Sequence, residues 1–130
     1  MAERHPPVDQ RYPRERRLRK KKEFHQVFQE GRKIVRPSIV VFILPRDEEA
    51  GPSRLGLAVS RKIGKAYRRN REKRRLREIF RLNQHLFARP CDVVIVARQG
   101  ILTRSYYQLQ RDYLRALEKG GVRSEGNPSS

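Results

Sequence analysis

The apolar residues of the chain fall into a few short segments, and the first of these has the spacing of a helix. In residues 17–31, Phe24, Val27 and Phe28 occur at i, i+3 and i+4, which places them on one helical face. Gly31 stands where a helix C-cap belongs. The remainder of this segment is strongly polar, so the pattern predicts a helix with one narrow apolar face.

Two further helices are predicted in the second half of the chain. One runs from about residue 65 to residue 86, and the other begins at Thr103, as its N-cap, and ends at Gly120. The positions predicted to face the core are Leu76, Ile79, Phe80, Asn83 and Phe87 on the earlier helix, and Tyr106, Leu109, Tyr113, Leu114 and Leu117 on the later one.

Runs of β-branched or alternating apolar residues predict strands at residues 37–45, 54–60 and 91–98, and residues 33–36 allow a further short strand. Because a predicted helix joins the strand 54–60 to the strand 91–98, these two strands are expected to run parallel.

The strand 54–60 has two different faces. Leu55, Leu57 and Val59 alternate with the small residues Gly56, Ala58 and Ser60. Another part of the molecule is therefore expected to lie close to the small face.

The order of these elements predicts an α+β fold, an α–β sandwich of three helices and one small sheet in a single domain. That domain is expected to span residues 17–118. Residues 1–16 contain three prolines and little apolar periodicity, which is typical of a disordered basic arm. Residues 119–130 predict a flexible tail.

The charge of the chain points to a polyanionic partner. Its 32 Lys and Arg residues against 14 Asp and Glu give a formal net charge of +18. Nucleic acid is the leading candidate, and an anionic membrane surface is the weaker one. The sequence shows no membrane-length apolar run, no secretory signal and no obligate protein partner. A single cysteine, Cys91, suits a reducing cytosol, so the protein is predicted to be cytoplasmic.

Half of the net charge lies in residues 61–81. This stretch has eleven Arg or Lys residues and two Glu residues, which gives +9. A row of such charges on a helix can follow a phosphate backbone and would make binding strongly salt-dependent. Asn70, between two arginines, can both donate and accept hydrogen bonds and so can fix a register. A solvated charged surface is the alternative interpretation.

Catalytic chemistry has no comparable signal. His5, His25 and His85 do not stand at metal-ligand spacing with one another or with Cys91. The carboxylates at 47–49 lie in a predicted loop, and no glycine-rich phosphate loop is present. We therefore predict no catalytic residue, no metal site and no cofactor in the protein itself.

Three aromatic residues form a second candidate site. Phe24 and Phe28 lie one helical turn apart, and Phe42 lies in the middle of a strand. Ordinary core packing is one interpretation. The other is a cleft in which unpaired bases stack on the rings.

The stretch "LGLAVSRKIGKAYRRNREKRRLREIFR", residues 55–81, resembles the signature of the bacterial ribonuclease P protein subunit. The family pattern is a strand followed by K-x-G-x-A, R-N-R, a basic pair and R-E. The matching residues are Lys62, Gly64, Ala66, Arg69, Asn70, Arg71, Lys73, Arg74, Arg77 and Glu78. The flanking elements also match, so the resemblance covers roughly residues 17–118.

The resemblance implies a two-layer α–β sandwich with a mixed four-stranded sheet and three helices, like the second domain of ribosomal protein S5. It also implies a left-handed β-α-β crossover, against the usual right-handed rule. Neither the strand order nor the hand of the crossover follows from the residues alone.

The resemblance further implies one catalytic RNA and precursor tRNA as partners. Endonucleolytic removal of the 5′ leader would then give the mature tRNA 5′ end, with magnesium held by the RNA subunit. By residue-by-residue transfer, Arg68, Arg69, Asn70, Arg71, Lys73, Arg74 and Arg77 bind the catalytic RNA. Phe24, Phe28, Phe42, Arg61, Lys62 and Lys65 bind the leader.

Other functions stay open at this point. A structural RNA-binding protein, such as a ribosomal protein, would share the basic helix but would not need an aromatic cleft. A self-sufficient nuclease and a DNA-binding protein are further alternatives, each less well supported by the residues.

Overall fold

The computed structural model describes residues 17–122. The arm predicted for residues 1–16 and most of the predicted tail lie outside the described residues. The elements in chain order are the helix α1 (Lys21–Glu30), the strands β1 (Arg32–Val35), β2 (Ile39–Pro45) and β3 (Arg54–Ala58), the helix α2 (Ala66–Asn83), the strand β4 (Cys91–Ala97) and the helix α3 (Tyr106–Gly120).

The four strands form one mixed sheet in the order β1-β2-β4-β3. β2 is antiparallel to both of its neighbours, whereas β3 and β4 pair in parallel, as predicted. The short strand allowed at residues 33–36 is present as β1. α2 joins the two parallel strands, so β3, α2 and β4 form the expected crossover unit.

One face of the sheet carries the main core. Alternate residues of β2 and β4, including Val41, Ile43, Val93 and Ile95, are buried there against α2 and α3. α2 contributes Leu76, Ile79 and Phe80, and α3 contributes Leu109, Tyr113, Ala116 and Leu117. Apart from Ala116, these are the apolar positions that the helical spacing predicted, with Tyr106, Leu114 and Phe87 partly buried around them.

On the opposite face of the sheet, α1 is the one helix that packs there within residues 17–122. Val27 of α1, Leu18 and Val94 of β4 form a smaller buried cluster, with Phe24 and Phe42 packed against it. The predicted α–β sandwich is confirmed, with the difference that helices cover both faces of the sheet instead of one. Because α1 is short, part of this face, including Val35, stays exposed in the part of the chain that the structure describes.

The start of α3 differs from the prediction. Ser105, not Thr103, is its N-cap: the Ser105 hydroxyl accepts a bond from the Gln108 amide at 3.1 Å, and the Gln108 side chain returns one to the Ser105 N–H at 2.9 Å. This reciprocal capping box satisfies two N–H groups. Thr103 lies in a preceding 3-10 turn, where its hydroxyl donates to the Gly100 carbonyl.

The predicted tail begins too early. α3 continues to Gly120, and Gly121 adopts the left-handed conformation that caps a helix C-terminus. Val122 is buried, and its carbonyl accepts a hydrogen bond from Ala88 at 2.9 Å. Residues 119–122 therefore belong to the folded body.

Cys91 is buried at the start of β4. Burial raises the pKa of its thiol to about 11, so the thiolate is scarce at neutral pH. In residues 17–122, no helix is long and apolar enough to cross a membrane.

Candidate nucleic-acid interface

α2 is built from two unlike sides. Its inner side buries Leu76, Ile79 and Phe80 together with one charged residue, Glu72. Tyr67, near the start of the helix, is exposed. The sequence therefore predicted the packing of the second half of α2 correctly, but it did not reveal the buried carboxylate in the first half.

Glu72 is buried because two arginines neutralise it. Its Oε1 lies 2.7 Å from Arg75 Nη2, and its Oε2 lies 3.4 Å from Arg71 Nη1. Arg75 also donates to the carbonyl oxygens of Arg104 at 2.9 Å and Ile101 at 3.2 Å. The Arg75 guanidinium thus joins α2 to the segment before α3, and these contacts stabilise the fold.

The outer side of α2 presents the charges that remain. Arg68, Arg71 and Arg74 are exposed, and so is the uncharged Asn70 between them. None of these four side chains is needed to fill the core, so they are available to bind a partner molecule. Asn70 and Arg71 of the R-N-R sequence therefore lie where a phosphate backbone can reach them.

Gly64 sets up the start of this helix. Its φ of +147° belongs to a region that side-chain-bearing residues rarely adopt, and a Cβ there would lie 3.1 Å from the Arg68 side chain. The Arg69 Nε donates to the Gly64 carbonyl at 3.2 Å, so Arg69 is half-buried and partly structural. The glycine and the first arginine of R-N-R therefore form one local unit.

The three predicted phenylalanines lie together on the α1 face of the sheet. The ring centroids of Phe24 and Phe28 are 6.4 Å apart, and those of Phe28 and Phe42 are 4.8 Å apart in an edge-to-face arrangement. Phe28 is 40 % exposed, whereas Phe24 and Phe42 are half-buried. Phe24 and Phe42 therefore pack against the smaller core cluster, whereas Phe28 is the most accessible ring of the three.

Gly56 explains the small face of β3. A Cβ at this position would lie 2.6 Å from the ring of Phe24, closer than van der Waals contact allows. The expected close neighbour of the small face is therefore Phe24 of α1. The absence of a side chain at Gly56 lets the aromatic ring sit directly on the sheet.

Next to the aromatic rings, one row of the sheet is not covered by α1. The register places Val35, Val40, Val96 and Ala58 side by side across the four strands. Val35 is 51 % exposed and the other three are half-buried. Lys33 of β1 lies 6.0 Å from the centroid of the Phe42 ring. The sequence signal for this row and for Lys33 was too weak to select them.

The predicted cations Arg61, Lys62 and Lys65 are exposed at the end of β3. They belong to the turn that follows Ala58, so they lie at the same end of the sheet as the uncovered row. In residues 17–122, no direct contact joins them to the three phenylalanines. Basic residues also flank the rings on the other side, where Arg19, Lys21, Lys22 and His25 border the same open space as Phe24 and Phe28.

The basic helix and the aromatic face meet at the edge strand β3. Lys73 and Arg77 of α2 line a cleft that is closed by Phe24, Gly56 and Leu57. These two cations, which are half-buried, face this edge of the sheet and not the outer side of the helix. A polyanion could follow a continuous basic and aromatic path around β3.

The carboxylates near these surfaces are already paired. Asp92 receives two hydrogen bonds from Arg54, at 2.9 and 2.8 Å, and Arg54 also reaches Glu23 at 3.2 Å. Backbone N–H groups of Lys20 and Arg19 lower the pKa of Glu23, together with Arg54. Within the described part of the chain, no group of three or more His, Cys, Asp or Glu residues could hold a metal ion.

Comparison with known sequences identifies a family. A model of the family described as ribonuclease P matches residues 12–121. The ribonuclease P protein component of Geobacillus kaustophilus is 37 % identical over 114 residues, covering 87 % of this chain and 93 % of that protein. The component of Gluconacetobacter diazotrophicus is 40 % identical over 111 residues, covering 85 % and 95 %.

Solved structures agree with the sequence comparison. The RNase P protein of Staphylococcus aureus superposes with a TM-score of 0.74 at 28 % identity, covering 84 % of this chain and 98 % of that one. The RNase P protein of Thermotoga maritima gives a TM-score of 0.69 at 34 % identity, covering 79 % and 96 %.

Proposed function

The chain belongs to the ribonuclease P protein family, and from that membership we propose that it is the protein subunit of a ribonucleoprotein endonuclease. In this function it binds the catalytic RNA and the 5′ leader of precursor tRNA, and it assists removal of the leader. The observation that carries the proposal is the joining of two surfaces, a basic helix and an aromatic face, along the edge of β3.

The outer side of α2 is the proposed contact with the catalytic RNA. Arg68, Arg71 and Arg74 are free of the core, and Arg69 holds the turn that starts the helix. Planar guanidinium groups grip phosphates at two points, and each neutralised phosphate releases counterions. Asn70, exposed among these arginines, can accept as well as donate a hydrogen bond, which point charges cannot do.

The aromatic face is the proposed contact with the leader. Leaders differ in base sequence, and stacking on an aromatic ring tolerates such differences because every base has a π-face. Phe28 offers an accessible ring, and Phe24 and Phe42 support it from the sides. Arg61, Lys62 and Lys65 would meet the leader phosphates at one end of this face, and Lys73 and Arg77 would link it to α2.

The protein then contributes affinity and selection, not the chemical step. In this proposal the magnesium ions that activate water are held by the RNA subunit, which supplies the hydrolytic chemistry. Such an assembly acts where precursor tRNA is processed, so the cytoplasm is the proposed location. The cationic protein would also screen the repulsion between two large RNA molecules.

Phe28→Ala is expected to weaken binding of precursor tRNA to the reconstituted complex by roughly fivefold or more, since one stacked base is worth about 1–3 kcal/mol. Binding of mature tRNA, which has no leader, is expected to stay unchanged. The measurement is the dissociation constant of each tRNA with the protein–RNA complex. It also separates this function from that of a structural RNA-binding protein.

The matched control is Tyr107→Ala, which removes an aromatic ring that is 77 % exposed on α3. This control should alter neither constant. If Phe28→Ala weakens precursor and mature tRNA equally, the aromatic face does not read the leader, and the general RNA-binding alternative gains support.

A further inference from the structure

A second cluster of arginines lies where α3 begins, beside the turn between β1 and β2. Four arginines line a pocket of about 200 Å³: Arg36, Arg104, Arg111 and Arg115. Among the lining residues that the structure describes, Asp112 is the one carboxylate. Four positive charges less one negative charge leave the pocket with a formal charge of +3.

Asp112 is committed to the fold, so it does not neutralise the whole cluster. It is buried, it accepts a hydrogen bond from the Ser38 hydroxyl, and it lies 3.3 Å from Arg104 Nε. Arg98 secures the same turn from its other side by donating to the Arg36 carbonyl at 2.7 Å. These three contacts fix the walls of the pocket and do not involve the side chains of Arg111 and Arg115.

The remaining guanidinium groups have unmet hydrogen-bonding capacity. The Nε of Arg36 is buried and has no hydrogen-bond partner among residues 17–122, which is costly for a donor. Arg111 and Arg115 are exposed, and neither makes an ion pair or side-chain hydrogen bond within residues 17–122. These two arginines stand four residues apart on α3, a spacing at which like charges repel. A bound anion would relieve this repulsion.

We propose that this arginine pocket is a second binding site for an RNA phosphate, separate from the R-N-R surface of α2. Guanidinium forks bind phosphate at two points with both charge and geometry matched. The separation follows from the contacts of α3: Gln110 faces α2 through Asn83 at 3.1 Å, whereas Arg111 and Arg115 lie on a different flank. The proposal rests on the proposed assembly of this protein with RNA.

The phosphate has two sources in that assembly, the catalytic RNA and the precursor tRNA. α2 and α3 lie side by side on one face of the sheet, and the aromatic face lies on the other. An RNA that docks on α2 therefore extends over the same layer as the arginine pocket. The catalytic RNA is the expected source.

The test compares the full-length double variant Arg111→Gln/Arg115→Gln with a charge-matched control, Arg32→Gln/Lys119→Gln, toward the other end of α3. Affinity for the catalytic RNA is measured over a series of monovalent salt concentrations, and affinity for precursor tRNA is measured with the assembled complex. Loss of two phosphate contacts should lower the affinity for the affected RNA by roughly tenfold at moderate salt. The slope of the logarithm of affinity against the logarithm of salt concentration should fall by about two units.

A loss for the catalytic RNA that exceeds the control supports the site and identifies its ligand. A loss confined to precursor tRNA supports the site with the substrate as the source. Equal affinities and slopes for the double variant and the control, in both arms, would overturn the proposal. If the unmodified protein itself binds no catalytic RNA, the proposed function fails instead, so the two failures are distinguishable.

Discussion

The Glu72→Gln variant is expected to have a free energy of unfolding about 3–5 kcal/mol lower than that of the parent protein. This is the usual cost of removing one partner of a buried ion pair. Glu72 has no exposed surface, and the side chain of Arg75 is only 13 % exposed. The substitution leaves the Arg75 charge inside the α2–α3 contact without its carboxylate. For a domain of ordinary stability, such a loss is a large part of the total free energy of unfolding. Chemical denaturation followed by circular dichroism measures it.

The double variant Glu72→Gln/Arg75→Gln provides the control. It removes both charges, so its loss should be smaller than the sum of the two single losses, because residues in direct contact do not act additively. Additive losses would mean that the two side chains do not stabilise each other. A Glu72→Gln variant that unfolds at the same denaturant concentration as the parent would contradict the structural role of the carboxylate.

The triple variant Arg68→Gln/Arg71→Gln/Arg74→Gln is expected to have the largest effect on RNA assembly. Each of these arginines is exposed on the outer side of α2, and the loss of three phosphate contacts should lower the salt slope by about three units. The affinity for the catalytic RNA should then fall by roughly two orders of magnitude near 0.1 M salt. The free energy of unfolding should fall only modestly, because Glu72 loses its exposed partner Arg71 at 3.4 Å but keeps Arg75 at 2.7 Å.

Single substitutions of the neighbouring residues Arg74 and Arg75 separate RNA binding from stability. Arg74→Gln should lower the salt slope and leave the unfolding free energy unchanged, because Arg74 is exposed. Arg75→Gln should do the reverse, because its guanidinium is bound to Glu72 and to two carbonyl groups. If both substitutions lower the slope alike, the division of α2 into an inner and an outer side is mistaken.

The fold followed from the sequence wherever periodicity was strong. The apolar positions of α2 and α3 and the strand runs of β2 and β4 predicted the core that the structure has. Gly56, as the small face of β3, correctly indicated a close neighbour, although only the structure identifies that neighbour as Phe24. These predictions succeeded because burial of apolar side chains imposes a period on the chain.

The errors occurred where polar residues decide the structure. Glu72 and Arg75 looked like two more charges on a solvated helix, since an i,i+3 ion pair has the same spacing whether it is exposed or buried. Ser105 and Thr103 can both cap a helix, and only the return bond from Gln108 selects Ser105. Val122 follows two glycines, so its burial had no local signal.

The candidate site was predictable in part. The R-N-R motif and the three phenylalanines were selected from the sequence, and the structure brings the three rings together. It does not bring Arg61, Lys62 and Lys65 into contact with those rings. The link through Lys73 and Arg77 at the edge of β3 depends on the tertiary fold, which residue spacing does not encode.

The most direct measurement is cleavage of precursor tRNA by the catalytic RNA, with and without this protein, at a magnesium concentration that barely supports the RNA alone. Addition of the protein should strongly raise the rate of leader removal, and the protein without RNA should cleave nothing. No stimulation by the protein would contradict its function as the subunit that binds leader and catalytic RNA. Cleavage by the purified protein alone would show that the hydrolytic centre lies in the protein.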